Sequence, residues 1–176
     1  MRLFVAILVS DSVTEQLFRG LVSPRQQSIQ GNFTRRENLH LTLAFLGETH
    51  QTEGAKRAID AIVSPAFSLS INRLGRFQRP GGDIMWVGIP GNPHLSALHQ
   101  QLSSALREEG FSLEKREYRP HLTLGRQVLL DPSFHWKKWE TQYLPIQTSV
   151  TKVSLMKSER IQGKLTYTEL HHQLLS

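Results

Sequence analysis

Cysteine is absent from the 176 residues, which excludes disulfides, thiolate metal sites and a cysteine nucleophile. Long apolar runs are absent too. No stretch approaches the roughly 20 residues that a membrane span needs, and the run from Leu3 to Val9 is short and enters a polar segment at once. A signal peptide would need a longer apolar run and a small-residue cleavage site, so a cytoplasmic location without a membrane partner is expected. Acidic side chains are the minority charge: 15 Asp and Glu stand against 21 Lys and Arg, giving a net charge of +6 and a pI near 10.0. That balance favours an anionic partner, nucleic acid first among them. The remaining composition, 39% apolar and 20% charged, is ordinary for a globular protein, and the length suits a single domain over residues 1–176. With no thiol available, the chemistry falls to His, Thr, Ser, Arg and Lys.

One tetrapeptide is present twice: His-Leu-Thr-Leu begins at His40 and again, 81 residues later, at His121. From 8 His, 25 Leu and 11 Thr, chance supplies about 0.01 copies of it, so the repeat asks for a cause. On an extended strand, His40 and Thr42 point to one face and Leu41 and Leu43 to the other, and the second copy behaves alike with His121 and Thr123. The same shift lays Leu3 to Leu8 on Ile84 to Ile89, both apolar strand candidates. It also puts Asp11 on Asn92, both favoured N-cap types, and Leu17 and Leu21 on Leu98 and Leu102. Each half reads as strand, helix, loop and motif strand. An internal duplication is inferred, its halves facing each other across a pseudo-two-fold axis.

A coarse pass predicts strands near 2–9, 39–46, 66–74, 83–89, 120–128, 147–157 and 163–171, and helices over 11–22, 51–64 and 93–109. The third helix is the best marked, with Asn92 as cap, Pro93 in the first turn, a stripe of Leu95, Leu98, Leu102 and Leu106, and Gly110 at its end. Ser12-x-x-Glu15 offers the first helix a capping box. Arg79 to Asp83 reads as a hairpin connection and Leu130 to Pro145 as a long loop. The class is α+β with mostly antiparallel sheets.

Two opposed His/Thr pairs suit a tetrahedral phosphate. Imidazole has an ordinary pKa of about 6.5, so one histidine can be a free base while its partner is protonated. A base and an acid on opposite sides fit in-line displacement at phosphorus, with no metal or cofactor in the scheme.

The Glu37-Asn38-Leu39-His40-Leu41-Thr42-Leu43-Ala44-Phe45-Leu46-Gly47 block, the Arg119-Pro120-His121-Leu122-Thr123-Leu124-Gly125-Arg126 block, the start Arg2-Leu3-Phe4-Val5-Ala6-Ile7, and Ser158 with Gly163 and Tyr167 resemble the 2H phosphoesterase superfamily. They closely resemble its RNA 2′,3′-cyclic phosphodiesterase branch, also called 2′-5′ RNA ligase-like. The resemblance covers nearly the whole chain. It implies a bilobal duplicated fold, with two mostly antiparallel sheets flanking a central cleft and helices outside. It implies hydrolysis of RNA 2′,3′-cyclic phosphate ends, as in tRNA fragments, or of cyclic nucleotides, to 2′-phosphates. His40 would be the proton donor to the leaving 3′-oxygen and His121 the proton acceptor from water. Thr42, Thr123 and Arg126 would bind the phosphate. No metal, no cofactor and no obligate protein partner are implied, and a monomer is expected.

Other readings of the same pair are a different 2H esterase, acting on ADP-ribose cyclic phosphate or trimming 3′-ends, and a noncatalytic RNA-end binding module. Histidines in both motifs argue against the last, since binding alone could use Arg or Lys, which stay charged. The segment His135-Trp136-Lys137-Lys138-Trp139 could stack on bases, or simply tuck its tryptophans against the sheet. Phe45, an odd number of positions from His40, is expected in the core unless a bulge intervenes. Arg35 and Arg36 could line the cleft mouth or be a solvated pair. His50, His94, His99, His171 and His172 read as surface or helix residues.

Overall fold

Equivalent residues of the two halves meet at the centre of the molecule. The computed structural model describes residues 1–176, arranged as β1 (Arg2–Leu8), α1 (Asp11–Gly20), α2 (Val22–Gln26), β2 (Ser28–Phe33), a 3₁₀ turn (Arg36–Asn38), β3 (His40–Glu48), α3 (Thr52–Asp60), β4 (Phe67–Ile71) and β5 (Arg73–Phe77), then β6 (Asp83–Gly88), α4 (Pro93–Glu108), β7 (His121–Leu130), α5 (Trp136–Tyr143), β8 (Ile146–Val150), β9 (Lys152–Ile161) and β10 (Lys164–Leu174). One antiparallel half-sheet runs β10-β9-β1-β3 and the other β7-β6-β5, with β2 also on β7. They join through a single bridging pair, Leu41 with Leu122. These are the same motif residue, 81 positions apart, and antiparallel pairing of equivalents is what a local two-fold axis through the pair produces. β4 and β8 form a separate ribbon.

The motif leucines anchor this arrangement. Leu41, Leu43, Leu122 and Leu124 are buried with Val13 and Leu17 of α1, Ala55, Ala58 and Ile59 of α3, and Leu95, Leu98, Leu102 and Leu106 of α4 in one 35-residue cluster. Each fully buried leucine contributes about 1.5–3 kcal/mol, so the strand alternation that sends the leucines inward also holds the histidines on the opposite face. No helix is long and apolar enough to cross a membrane.

Helix α4 ends as its sequence predicts. Asn92 Oδ1 accepts the Leu95 N–H at 3.1 Å, and the chain leaves through Gly110 at φ 94°, where the Phe111 N–H reaches the Leu106 carbonyl. For α1 the expectation is corrected by one residue: Ser10, not Asp11, is the cap, its Oγ accepting from the Val13 N–H. The Ser12 capping box does not form. Ser12 lies inside the helix beside Gln16, and Glu15 pairs with Arg19 and Arg36 instead.

Other expectations need revision. The 66–74 strand divides at Asn72 and the 147–157 strand at Thr151, each into pieces that serve different sheets. The 130–145 segment is not all loop: it contains α5, capped by His135 Nδ1 accepting the Lys138 N–H. Trp139 is buried and donates its indole N–H to the Gly20 carbonyl at 2.7 Å, and a Cβ at Gly20 would lie 2.8 Å from that ring. Both tryptophans therefore pack inward, Trp136 against Phe134, while Lys137 and Lys138 stay exposed.

Candidate active site

Counting one residue outward from the Leu41–Leu122 pair sets His40 opposite Thr123 and Thr42 opposite His121. Two imidazoles and two hydroxyls thus occupy the four corners of one patch, above the buried leucines. The rings are held the same way in both halves. His40 Nδ1 lies 2.7 Å from the Asn38 carbonyl and His121 Nδ1 2.7 Å from the Arg119 carbonyl. A carbonyl only accepts, so each Nδ1 carries the proton and each Nε2 is the working nitrogen. Asn38 and Arg119 are themselves 81 residues apart. His40 Nε2 sits 2.9 Å from Thr42 Oγ1, which donates to the neutral ring.

A second shared device overturns the expectation for Phe45. Along β1 and β3 the register passes from Val5–Ala44 to Ala6–Thr42, leaving Leu43 as an extra residue. Along β6 and β7 it passes from Met85–Gly125 to Trp86–Thr123, leaving Leu124 extra. Each bulge flips the alternation: Leu43 and Ala44 both turn toward the core, and Phe45 swings onto the histidine face. Phe45 is 60% exposed, with its ring 6.5 Å from Phe4, which lies 5.0 Å from His40. Arg126, five residues past His121 as Phe45 is past His40, is turned out by the matching bulge.

The bulges free carbonyls that must find donors. In the first half Tyr118 Oη donates to the Thr42 carbonyl at 2.8 Å, and His99 stacks on Tyr118 with ring centres 4.0 Å apart. In the second half Thr34 serves both, its Oγ1 donating to the Thr123 carbonyl at 2.9 Å and its N–H to the Leu124 carbonyl at 2.8 Å. Sequence reasoning missed Tyr118 and Thr34, because their role depends on pairings between distant segments; it read His99 as a surface or helix residue, and His99 lies on α4. Burial pushes the His99 imidazole down and the Tyr118 phenol up.

Both motif histidines are held below the usual imidazole range. For His40 the causes are burial first, opposed by the Asn38 hydrogen bond and reinforced by the Arg126 and His121 charges. For His121 they are burial, opposed by the Arg119 hydrogen bond and reinforced by Arg126. No carboxylate acts on either ring, so Arg126 supplies an uncompensated positive field over the patch. No three His, Cys, Asp or Glu side chains gather so as to hold a metal ion.

The remaining candidates divide. Tyr167 meets His40 edge-on at 5.2 Å, while Ser158 is its backbone partner across β9 and β10. Arg35 bonds the Leu165 carbonyl and Glu37, and Arg36 pairs with Glu15 at 2.5 Å and lies over Phe18. Neither arginine is a free cation at the patch. His171 pairs with Asp60, His172 faces Glu169, and His94 stacks on Phe67.

A family model described as "2′-5′ RNA ligase superfamily" matches residues 13–162. The chain belongs to that superfamily. It is 29% identical to an Escherichia coli protein named RNA 2′,3′-cyclic phosphodiesterase, covering 99% of this chain and 97% of that one. An Archaeoglobus fulgidus protein of the same name is 32% identical over 75% of this chain and 76% of its own. Among solved structures, E. coli LigT complexed with 3′-AMP superposes with a TM-score of 0.81 at 27% identity, covering 99% and 98% of the two chains. The superfamily's bilobal α+β fold is therefore the fold of this chain.

Proposed function

We propose that this chain hydrolyses the 2′,3′-cyclic phosphate ends of RNA, or cyclic nucleotides, to 2′-phosphates by acid–base catalysis between His40 and His121, without a metal. The observation that carries the reading is the matched pair of imidazoles, each donating a hydrogen bond from Nδ1 to the carbonyl two residues before it and keeping Nε2 for the shared patch beside Arg126. The names of its relatives supply the substrate class.

In the proposed step His121 Nε2 takes a proton from water, whose oxygen attacks phosphorus opposite the 3′-oxygen. The P–O3′ bond breaks and His40 Nε2 gives its proton to the departing oxygen. Each transfer contributes typically 10²–10⁴-fold. The Thr42 and Thr123 hydroxyls donate to nonbridging oxygens, and the Arg126 guanidinium adds a charge-assisted contact. A bound phosphate anion raises both imidazoles, offsetting the burial and the Arg126 charge that lower them in the empty cleft. Phe45, exposed beside Phe4 on the His40 side, offers its ring to the base of the nucleoside that carries the leaving oxygen. With a 5′-hydroxyl in the place of water, the same two transfers in the same direction yield a 2′-5′ linkage. The enzyme is expected to work as a monomer in the cytoplasm.

The test is ³¹P NMR of the product from an oligonucleotide ending in a 2′,3′-cyclic phosphate, in EDTA. A 2′-phosphate is expected, with its rate falling at least about 100-fold in both His40→Ala and His121→Ala. A 3′-phosphate, chelator-sensitive turnover, or an unchanged substrate would reject the reading, the last favouring another 2H esterase or phosphate binding alone.

A further inference from the structure

Each motif histidine sits against two aromatic rings, and the two pairs have separate origins. His40 has Phe4 at 5.0 Å and Tyr167 at 5.2 Å. His121 has Phe77 at 5.1 Å and Trp86 at 6.1 Å. The 81-residue shift carries Phe4 onto Met85 and Trp86 back onto Val5, both buried in the core. The rings therefore do not descend in register from the duplication; Tyr167 arrives from β10 and Phe77 from β5.

The rings beside His121 adjoin each other at a tilt of 40°. A Cβ at Gly75 would lie 2.3 Å from the Trp86 indole and one at Gly88 2.7 Å from it, so the two glycines let that ring lie across the sheet. Gly88 is the backbone partner of His121, which puts the indole next to the imidazole. Phe77 stands beside the indole, 5.2 Å from Trp86 between ring centres, and meets His121 edge-on. The Arg79 guanidinium stands 5.7 Å from the Phe77 ring centre, bonded to the Gln78 carbonyl and to no carboxylate.

In an in-line displacement, the group bearing the attacking oxygen lies on the base's side of phosphorus. A water molecule there needs only His121 Nε2 and gains nothing from two rings. We propose that Phe77 and Trp86 form a subsite for a ribonucleoside that presents its 5′-hydroxyl to His121, with Arg79 facing the phosphate on its 3′ side; the inference rests on the phosphodiesterase reading above. In the transfer, the 5′-O–P bond forms and the P–O3′ bond breaks. The 5′-hydroxyl proton goes to His121 Nε2 and the His40 proton to O3′, leaving a 2′-5′ diester and a free 3′-hydroxyl with nothing else consumed. Phe77 and Trp86 thus decide how the cyclic phosphate divides between water and RNA.

The experiment follows one cyclic-phosphate oligonucleotide in water with added adenosine or methanol, and reads 2′-5′ diester, methyl ester and 2′-phosphate by chromatography. The ratio is internal to each reaction, so a variant that merely misaligns His121 slows every route alike and leaves it unchanged. In the wild type, transfer to adenosine saturates and exceeds transfer to methanol at equal concentration by about tenfold or more. Phe77→Leu and Trp86→Leu each lower the adenosine-to-methanol ratio about tenfold, and Phe77→Tyr keeps it. Hydrolysis with a ratio untouched by either leucine variant would overturn the subsite alone. Absence of any turnover by the wild type would overturn the phosphodiesterase reading and the subsite with it.

Discussion

In the first half of the site the residue just past the bulge is Phe45; in the second half, 81 residues on, it is Arg126. The frames beneath them match: a histidine fixed by the carbonyl two residues earlier, a threonine on the same face, a bulge at the fourth motif residue, and a buried leucine pair. What differs is the side chain delivered by each bulge, an apolar ring on one side and a cation on the other. A phosphodiester is asymmetric in the same sense, with a flat base on one flank and a charged phosphate at its centre. The comparison teaches that a two-fold frame supplies the matched histidines, while departures from the symmetry supply the unlike side chains around them, which in the proposed reaction fit an asymmetric substrate.

Removing Arg126 should break that comparison most severely. Arg126→Gln deletes the proposed charge-assisted contact to the phosphate, worth about 1.5–3 kcal/mol, so kcat/KM should fall roughly 10–100-fold. The same charge lowers both histidines. Its loss lets both rise toward the ordinary value near 6.5, and both limbs of the bell-shaped pH profile should move to higher pH. A rate loss with an unmoved profile would show that Arg126 does not act on the histidine pair.

Phe45→Ala should cost less and in a different parameter. Stacking of one base is worth about 1–3 kcal/mol. The base is held alike in ground and transition states, so KM should rise about tenfold while kcat and the pH profile stay close to wild type. An Arg126-like shift of the profile in Phe45→Ala would end the proposed division of labour.

Much of this was legible in the chain. His40, Thr42, His121 and Thr123 stand out by repetition, and strand alternation alone sends Leu41 and Leu122 inward. Helix α4 carries its boundaries in local chemistry, with Asn92 as cap, Pro93 in the first turn, Arg107 in the last turn and Gly110 beyond it. Phe45 was not legible, because strict alternation puts it in the core and only the bulge at Leu43 reverses that. Strand β2 escaped because Ser28–Phe33 is mostly exposed and polar, with no apolar period, and becomes a strand only by pairing with β7. Helix α5 had a usable signal in Trp136, Trp139 and Tyr143 at helical spacing, masked by the Asp131-Pro132 turn before it.

The smallest expected effect sharpens the comparison at the bulges themselves. The freed Thr42 carbonyl depends on a single phenol from Tyr118, whereas the Thr123 and Leu124 carbonyls both depend on Thr34. Tyr118→Phe removes one hydroxyl and leaves the ring on His99, so the cost is that of one hydrogen bond to a part-buried carbonyl, about 0.5–1.5 kcal/mol. Thr34→Val removes the hydroxyl but keeps the backbone N–H on Leu124, and should cost the second half no more than that. If each clamp positions its own half, Tyr118→Phe should raise KM a few-fold, in the direction of Phe45→Ala, because it loosens the segment from Thr42 to Phe45. Thr34→Val should instead lower kcat and move the pH profile slightly upward, in the direction of Arg126→Gln. Thermal melting with kinetics on both variants separates the cases: equal losses of stability with no split between KM and kcat would mean that the clamps serve only the fold.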